Sequence, residues 1–335
     1  MTSFAKGVSV VATVLNEEDT VGQLLEALSN QTRPPDEVVV CDGGSTDGTV
    51  AALLAGADDA AFPVRVIENP GANISAGRNA AIAAAAGPVI ACTDAGVRLV
   101  PEWLEAITTP LESTARVVAG FFASDPTGAF ETALGATTLP EQSDVDPAKF
   151  LPSSRSVAFL KDDWAAVGGY PEWLDFGEDL VFDMRIVDHA GRPAFAPQAL
   201  AMFRPRHSLS AFVRQYFLYA RGDGKALLWP WRHVIRYVAY LVFLPLVVTL
   251  ALAHHPAWAA VLVIAVALEL RRPVERLAHQ WSNLRATEKA LALLWVPVIR
   301  VSGDVAKMLG FPVGLTWRLQ RRPPEWRPRP EVGRL

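Results

Sequence analysis

Val38-Val-Val-Cys41 runs straight into Asp42-Gly-Gly-Ser-Thr-Asp47. A run of β-branched residues too short for a helix, with no polar alternation, reads as a strand buried on both faces. The same pattern occurs twice more: Val8-Ser-Val-Val-Ala-Thr-Val-Leu15 leads into Asn16-Glu17-Glu18, and Pro88-Val-Ile-Ala-Cys-Thr93 leads into Asp94-Ala-Gly96. Three parallel strands that each end in an acid and a turn place those carboxylates along one edge of one sheet. That edge is where open α/β sheets bind ligands.

The segments between these strands read as helices. Val21, Leu24, Leu25 and Leu28 share one helical face, Asp47 is placed to cap a helix through Val50, Leu53 and Leu54, and Asn73 to cap an alanine-rich helix ending near Ala86. With a further strand from Val64 to Ile67, this alternation specifies an α/β fold with a doubly wound sheet and right-handed crossovers. Beyond Pro101 the pattern loosens, with a helix expected from Glu102, a strand near Arg116 to Ala123, no clear pattern from there to Phe150, and a strand at Ser156 to Leu160. Gly168-Gly-Tyr-Pro171 marks a turn, and Glu178-Asp179 opens a helix through Ile186. Leu209, Phe212, Val213, Tyr216, Phe217 and Ala220 form a later helical stripe, with Arg214, Arg221 and Lys225 on another face.

The charge divides along the chain. Before residue 200 there are 11 Lys and Arg against 28 Asp and Glu, and after it 20 against 7, so the formal net charge of −4 joins an acidic part to a basic one. A basic part implies a membrane surface or nucleic acid, and its apolar content selects the membrane and leaves no role for nucleic acid. Residues 234–253 contain one charge, Arg236, and as a helix would span about 30 Å, the thickness of a bilayer core. His254-His255-Pro256 breaks the run, and the fourteen residues at 257–270, apolar except Glu269, fit either the second arm of a transmembrane hairpin or a re-entrant segment. Arg232 and Arg236 before the pair, and the Arg271-Arg272-Pro-Val-Glu-Arg276 cluster after it, place both ends in the cytoplasm. The expectation is a multi-pass protein of the cell membrane with a cytoplasmic catalytic domain. Seven of the ten tryptophans lie from Trp229 to Trp326, as at membrane interfaces.

In residues 290–309, Arg300, Asp304 and Lys307 follow i, i+4, i+7 spacing and share one face, which favours a helix lying in the interface. The segment from Arg321 to Pro330 reads as a basic, proline-rich surface strap, and the N-terminus shows no signal-peptide pattern. A soluble all-α domain with an apolar core is the alternative for the C-terminal third. The expected organisation is a catalytic domain at 1–228, a transmembrane helical hairpin at 229–272, and an interfacial amphipathic helix with the basic tail at 273–335. Cys41 and Cys92 sit at strand ends and read as reduced core residues.

In this order and spacing, Asn16-Glu17, Asp42-Gly-Gly-Ser-Thr-Asp47, Gly77-Arg78-Asn79, Asp94, Gly168-Gly-Tyr170 and Glu178-Asp179 resemble the family 2 glycosyltransferases of the GT-A fold, from Val8 to Lys225. The resemblance implies a doubly wound mixed sheet and an inverting transfer from a nucleotide-sugar donor. It assigns the nucleotide to Thr13, Leu15, Glu17, Asp42, Gly43, Gly44, Arg78 and Asp94. A carboxylate at Asp42 suits the imide hydrogen of uracil, hence a UDP-sugar. Read without the resemblance, the same loop is an ordinary turn and helix cap, and Arg78 a solvated helix residue.

The family's Asp-X-Asp motif stands here as Asp94-Ala95-Gly96, so the second acid is missing. A divalent cation, Mg2+ or Mn2+, would therefore rest on Asp94, with His207 as a further ligand or a merely structural histidine. Arg98 or Arg206 is the metal-free alternative for neutralising a leaving diphosphate. The resemblance makes Asp179 the catalytic base, with Glu178 beside it hydrogen-bonding a sugar; both also simply favour a helix N-terminus. Asp183, one turn on, either raises the pKa of Asp179 or faces solvent.

Trp173 offers a stacking surface for an acceptor sugar, and Gln215 matches the first residue of the Gln-X-X-Arg-Trp motif of processive members, whose Arg and Trp are replaced by Leu218 and Tyr219. The acceptor expected is a lipid or lipid-linked glycan of the cell envelope at the membrane, glycosylated once. A non-catalytic nucleotide-binding scaffold and a sugar nucleotidyltransferase are the rival readings. The acidic Asn16-Glu17-Glu18-Asp19 stands where the latter needs a basic glycine-rich loop.

Overall fold

A computed structural model describes residues 7–327. Its described residues divide into two compact units, one of 7–123, 142–203 and 324–327, the other of Ser124–Glu141 and Arg204–Pro323.

The first unit is built on an eight-stranded sheet in the order β3-β2-β1-β4-β7-β6-β8-β5. The strands are β1 (Val8–Val14), β2 (Glu37–Asp42), β3 (Val64–Glu68), β4 (Val89–Cys92), β5 (Val97–Leu99), β6 (Val117–Ser124), β7 (Val157–Leu160) and β8 (Ala194–Phe203). The helices between them are α1 (Glu18–Ser29), α2 (Thr49–Asp59), α3 (Ile74–Ala84), α4 (Trp103–Thr108), α6 (Lys161–Ala166) and α7 (Glu178–Ala190); α5 (Gly128–Thr138) belongs to the second unit. β1 pairs in parallel with β2 and β4, and β2 with β3, whereas β7 runs antiparallel to β4 and β6. The mixed sheet expected from the sequence is therefore present.

Both faces of the parallel strands are covered. Val8, Val10, Ala12 and Val14 pack with Leu24, Leu28 and Leu53 of α1 and α2, while Val11, Val39 and Cys41 pack with Ile82 of α3 and Phe182 and Ile186 of α7. This two-sided burial is why the runs lack polar alternation. Asn73 caps α3 by accepting from the Ala76 N–H at 2.9 Å, and the Asp47 carboxylate accepts from the Thr49 N–H at 3.0 Å. Both cysteines are buried free thiols, with burial pushing Cys41 up to about 11 and Cys92 up to about 12.

The second unit is helical. It contains α5, α8 (Leu209–Ala226), α9 (Pro230–Val238), α10 (Leu244–Ala253), α11 (Ala259–His279) and α12 (Ala286–Arg321). α5 is the helix hidden in the stretch without pattern. Its Ala133, Leu134, Gly135, Ala136 and Thr137 are all buried, so no polar face repeats at helical spacing.

α9, a π-helical segment at Ala239–Phe243 and α10 form one apolar helix over Pro230–Ala253, 24 residues long and 6% buried. Among the described residues it is the one helix long and apolar enough to cross a bilayer. The expected hairpin loses its second arm. The run at 257–270 instead opens α11, a 21-residue helix whose later turns carry Arg271, Arg272, Glu275 and Arg276.

α12 corrects a second expectation. It is 36 residues long, and its charged face is turned inward: Asp304 is buried among Ala292, Val296, Ile299, Gly303 and Ala306. The outward face is apolar, with Leu294 68% and Leu309 61% exposed and Val298, Val301 and Val305 between them. The expected tail falls partly on residues 328–335, outside the described residues.

α12 lies close against α8 because Gly310 and Gly314 have no side chain. A Cβ on Gly310 would overlap the Phe217 carbonyl, and one on Gly314 the Arg221 carbonyl. Gly314→Ala is expected to destabilise the protein by about 1–3 kcal/mol through overpacking. Gly22→Ala, in α1 with open space around the position, is expected to be neutral or stabilising by up to about 1 kcal/mol. Thermal unfolding of the two variants side by side checks the contrast.

Candidate active site

The carboxyl ends of β1 and β2 are joined by side-chain bonds that shape the Asp42 loop. Asn16, at φ 55°, donates its backbone N–H to Ser45 Oγ at 2.8 Å and accepts the Thr46 N–H on Oδ1 at 2.9 Å. Asp42 is 1% exposed, and its Oδ2 accepts the N–H groups of Gly44 and Ser45, each at 2.9 Å. Oδ1 accepts the Ser45 hydroxyl. The carboxylate thus holds its own loop closed, and Gly44 at φ 99° makes the turn that permits it.

Leu15 is exposed beside Gly43, and Thr13 is half-buried next to Gly77. Glu17 accepts from the Thr20 hydroxyl at 2.6 Å, so this acid braces the start of α1. The sequence reading missed Asn69 to Ala72. Gly71 N–H donates to the Gly43 carbonyl and Asn69 N–H to the Asp42 carbonyl, so this segment walls the same loop. Its signal was the Asn-Pro-Gly turn directly after a strand.

Arg78 is the centre of a second group of residues. It is 3% exposed on α3, and it donates from Nη1 to Glu178 Oε1 at 2.7 Å and from Nη2 to Asp94 Oδ1 at 3.0 Å. Its guanidinium lies 5.4 Å from the Tyr170 ring centroid. The next residue, Asn79, ties the 168–172 turn to α3. Its Oδ1 accepts the Tyr170 N–H and the Trp164 indole N–H, and its Nδ2 donates to the Tyr170 carbonyl and to Glu172. The Gly77-Arg78-Asn79 and Gly168-Gly-Tyr170 segments, distant in sequence, are therefore bonded to each other.

Asp94 meets a second guanidinium. Arg155 Nε is 3.6 Å from Asp94 Oδ2, and Arg155 lies over the Phe203 ring at 4.7 Å. The sequence gave no motif that would have singled out Arg155. Burial acts to raise the Asp94 pKa, but Arg78 and Arg155 outweigh it and hold this carboxyl below its ordinary value. Burial, then the charge of Asp179, push Glu178 up to about 7 against the pull of Arg78.

Asp183 is 1% exposed, and neither of its carboxyl oxygens has a hydrogen-bond partner. It does not face solvent. Burial, followed by Asp179, raises its pKa well above the ordinary carboxylate value. Asp179 itself is half-buried in the first turn of α7, its Oδ1 accepting the Leu180 N–H at 2.9 Å.

Trp173 sits half-buried in the loop that precedes α7, a loop anchored by Ser75 Oγ donating to the Leu174 carbonyl and Asn73 Nδ2 to the Glu172 carbonyl. Gln215 and His207 belong to the second unit. Gln215 Nε2 donates to the Tyr219 hydroxyl at 2.8 Å, and His207 is exposed just before α8. Among the described residues no three His, Cys, Asp or Glu side chains are placed together to hold a metal ion. Around Gly96 there is open space. What the site offers a cation is the single Asp94 carboxylate, which suffices only for an ion that keeps waters and takes phosphate oxygens.

Residues 9–152 match the profile of Glycosyl transferase family 2. The succinoglycan biosynthesis protein ExoA of Rhizobium meliloti is 27% identical over 234 residues, covering 65% of this chain and 69% of the relative. The glycosyltransferase AglE of Haloferax volcanii is 27% identical over 237 residues, covering 67% and 75%. In structure, the chain is similar to the mannosyltransferase PcManGT from Pyrobaculum calidifontis, solved with GDP-Man and Mn2+, at TM-score 0.61 and 18% identity over 91% of this chain and 88% of that one. The fold agrees with these likenesses, and over residues 9–152 the chain is similar to the family 2 glycosyltransferases.

Proposed function

We propose that the protein transfers one sugar, with inversion, from a nucleoside-diphosphate donor, a UDP-sugar, to a lipid or lipid-linked cell-envelope glycan at the cytoplasmic face of a membrane. The observation that carries the reading is that Arg78 gathers Asp94 and Glu178 while Asp179 stands beside them in the first turn of α7. This gives one sheet edge a nucleotide loop, a fixed cation and a base.

Asp42 Oδ1 accepts a single bond within its loop, which leaves it capacity for the imide hydrogen of a uracil. Thr13, Leu15, Gly43 and Gly44 line the same edge. Arg155, with Arg78 behind it, supplies positive charge for the diphosphate. A divalent cation, when bound, adds charge neutralisation of that leaving group, and Asp94 is the residue that would hold it. The Mn2+ named for the Pyrobaculum mannosyltransferase supports that part of the reading.

In the transfer the acceptor hydroxyl oxygen bonds to the anomeric carbon as the bond from that carbon to the diphosphate breaks. Asp179 takes the hydroxyl proton, and the nucleoside diphosphate leaves on the opposite face. Asp183, buried without a hydrogen-bond partner, has its pKa raised well above the ordinary carboxylate value, which weakens its repulsion of a charged Asp179, and Arg78 offsets Glu178. Trp173 is placed in the loop before α7 to stack on the acceptor sugar.

The absence of the Arg and Trp of the processive motif at Leu218 and Tyr219 favours a single transfer over polymerisation. The apolar helix Pro230–Ala253 and the outward apolar face of α12 support attachment to a bilayer. Arg232, Arg236 and the basic cluster from Arg271 support a cytoplasmic orientation. The names of the Rhizobium and Haloferax relatives favour a glycan product.

Asp179→Asn is expected to lower transfer by about 10²–10⁴-fold while UDP binding is kept, measured as sugar transfer and UDP release against a series of nucleotide sugars. Wild-type turnover in the variant would remove Asp179 as the base. A protein that consumes no donor at all would remove the enzymatic reading.

The state of Asp183 sets a dependence of stability on pH. An unfolded aspartate ionises near about 3.9, whereas the folded one stays protonated well above that value. Between the two pKa values the unfolded chain binds fewer protons, so Asp183 lowers stability as pH rises. Asp183→Asn is expected to remove this term, so that the difference in melting temperature between variant and wild type moves in favour of the variant from pH 5 to pH 8. A difference that does not change with pH contradicts a protonated Asp183.

A further inference from the structure

The inward charges of α12 line a cavity of about 80 Å³ within the second unit, together with Thr137 and Thr138 of α5 and Phe212 and Tyr216 of α8. The acid in its wall is already engaged. Asp304 Oδ1 accepts from Arg236 Nε at 2.7 Å and Oδ2 from the Tyr240 hydroxyl at 3.1 Å. The cations are not balanced to the same degree. Arg300 pairs with Glu269 and lies 3.7 Å from Asp304, yet its Nε is buried with no hydrogen-bond partner. Lys307 holds its ammonium 4.8 Å from the Tyr216 ring centroid, and no hydrogen bond or ion pair to it is present among the described residues. Three cations, Arg236, Arg300 and Lys307, thus face three carboxylates, Asp304, Glu269 and Asp223, the last held by His233 Nε2 at 3.0 Å, and the imbalance is one of bonds: Lys307 and the Arg300 Nε–H lack an acceptor.

The setting sharpens the imbalance. The same helix turns Leu294, Val298, Val301, Val305 and Leu309 outward, so its polar side is inside and its apolar side outside, the reverse of a soluble helix. Charge held inside an apolar exterior is costly and marks a binding function when it occurs. The cavity has room for several water-sized groups, which matches a phosphate and falls short of a sugar ring. Its lining offers the Lys307 ammonium and the Arg300 Nε–H as donors, while the Tyr216 phenol is hydrogen-bonded to Thr138. The Thr137 and Thr138 hydroxyls donate to carbonyls of their own helix and leave only acceptor capacity.

We propose that this cavity is an anion site for the phosphate of an amphiphile, a long-chain alkyl or prenyl phosphate, with Lys307 and Arg300 as its ligands. The phosphate supplies the acceptor oxygens that the Lys307 ammonium and the Arg300 Nε–H lack, and the chain of the amphiphile is accommodated by the apolar surface of the unit. This binding is independent of whether that amphiphile is also the sugar acceptor, and it is measured without donor or turnover, so its failure and that of the proposed transfer are separable.

The test uses the full chain in a neutral alkyl-glycoside detergent, titrated with dodecyl phosphate, dodecanol and inorganic phosphate and followed by the ³¹P resonance of the phosphates and by calorimetry. Saturable binding of dodecyl phosphate, absent for dodecanol, is expected. Lys307→Gln is expected to weaken it at least about tenfold, the loss typical of one charge-assisted hydrogen bond. Lys307→Arg, which keeps the charge, should bind close to wild type and controls for a variant that fails to fold. Inorganic phosphate binding as tightly as dodecyl phosphate would keep the anion site and assign it to a soluble phosphate, overturning the amphiphile. No saturable binding, or equal affinities in wild type and Lys307→Gln, would overturn the site.

Discussion

The buried guanidinium of Arg78 is the interaction on which the catalytic unit depends. It reaches Glu178 from one nitrogen and Asp94 from another, and so joins α3 and the loop after β4 to the start of α7. Burying three charges costs several kcal/mol per ion, and the arrangement holds because each charge has a partner at hydrogen-bond distance. Without Arg78, two acids would be left facing each other away from water, and Asp94 would depend on the more distant Arg155. Asn79 complements this from the next position by fixing the 168–172 turn, so that α7 enters at the right place.

The second unit follows another rule. In the sheet, side chains bury apolar surface and leave polar groups to water. In α12 the assignment is inverted, with Asp304 buried and Leu294 and Leu309 exposed. The close approach of α8 and α12 rests on Gly310 and Gly314, where a side chain would meet the facing backbone.

Much of this was legible in the sequence. The parallel strands, the Asn73 cap and the acids at the sheet edge followed from local pattern, because a buried parallel strand and a capped helix are each specified within a few residues. The misses came from relations that no local pattern encodes. Arg155 approaches Asp94 from a segment about sixty residues away, and Asp183 was read as a neighbour of Asp179 or a solvated acid when its burial depends on packing. α5 shows no pattern because seven consecutive residues, Glu131 to Thr137, are all buried and no polar face repeats at helical spacing. The charges of α12 were placed on the wrong side of their helix, since periodicity shows that residues share a face and is silent on which medium that face meets.

The account stands or falls on Arg78 and its two acids acting as one unit, and a double-mutant cycle for unfolding between Arg78→Met and Glu178→Gln measures this directly. Arg78→Met alone should cost about 3–5 kcal/mol, because it leaves uncompensated buried charge. Adding Glu178→Gln should recover a large part of that loss, with a coupling energy of about 1–3 kcal/mol. Effects that simply add would contradict the account, because they would mean that the guanidinium and the carboxylate do not depend on each other in the folded protein.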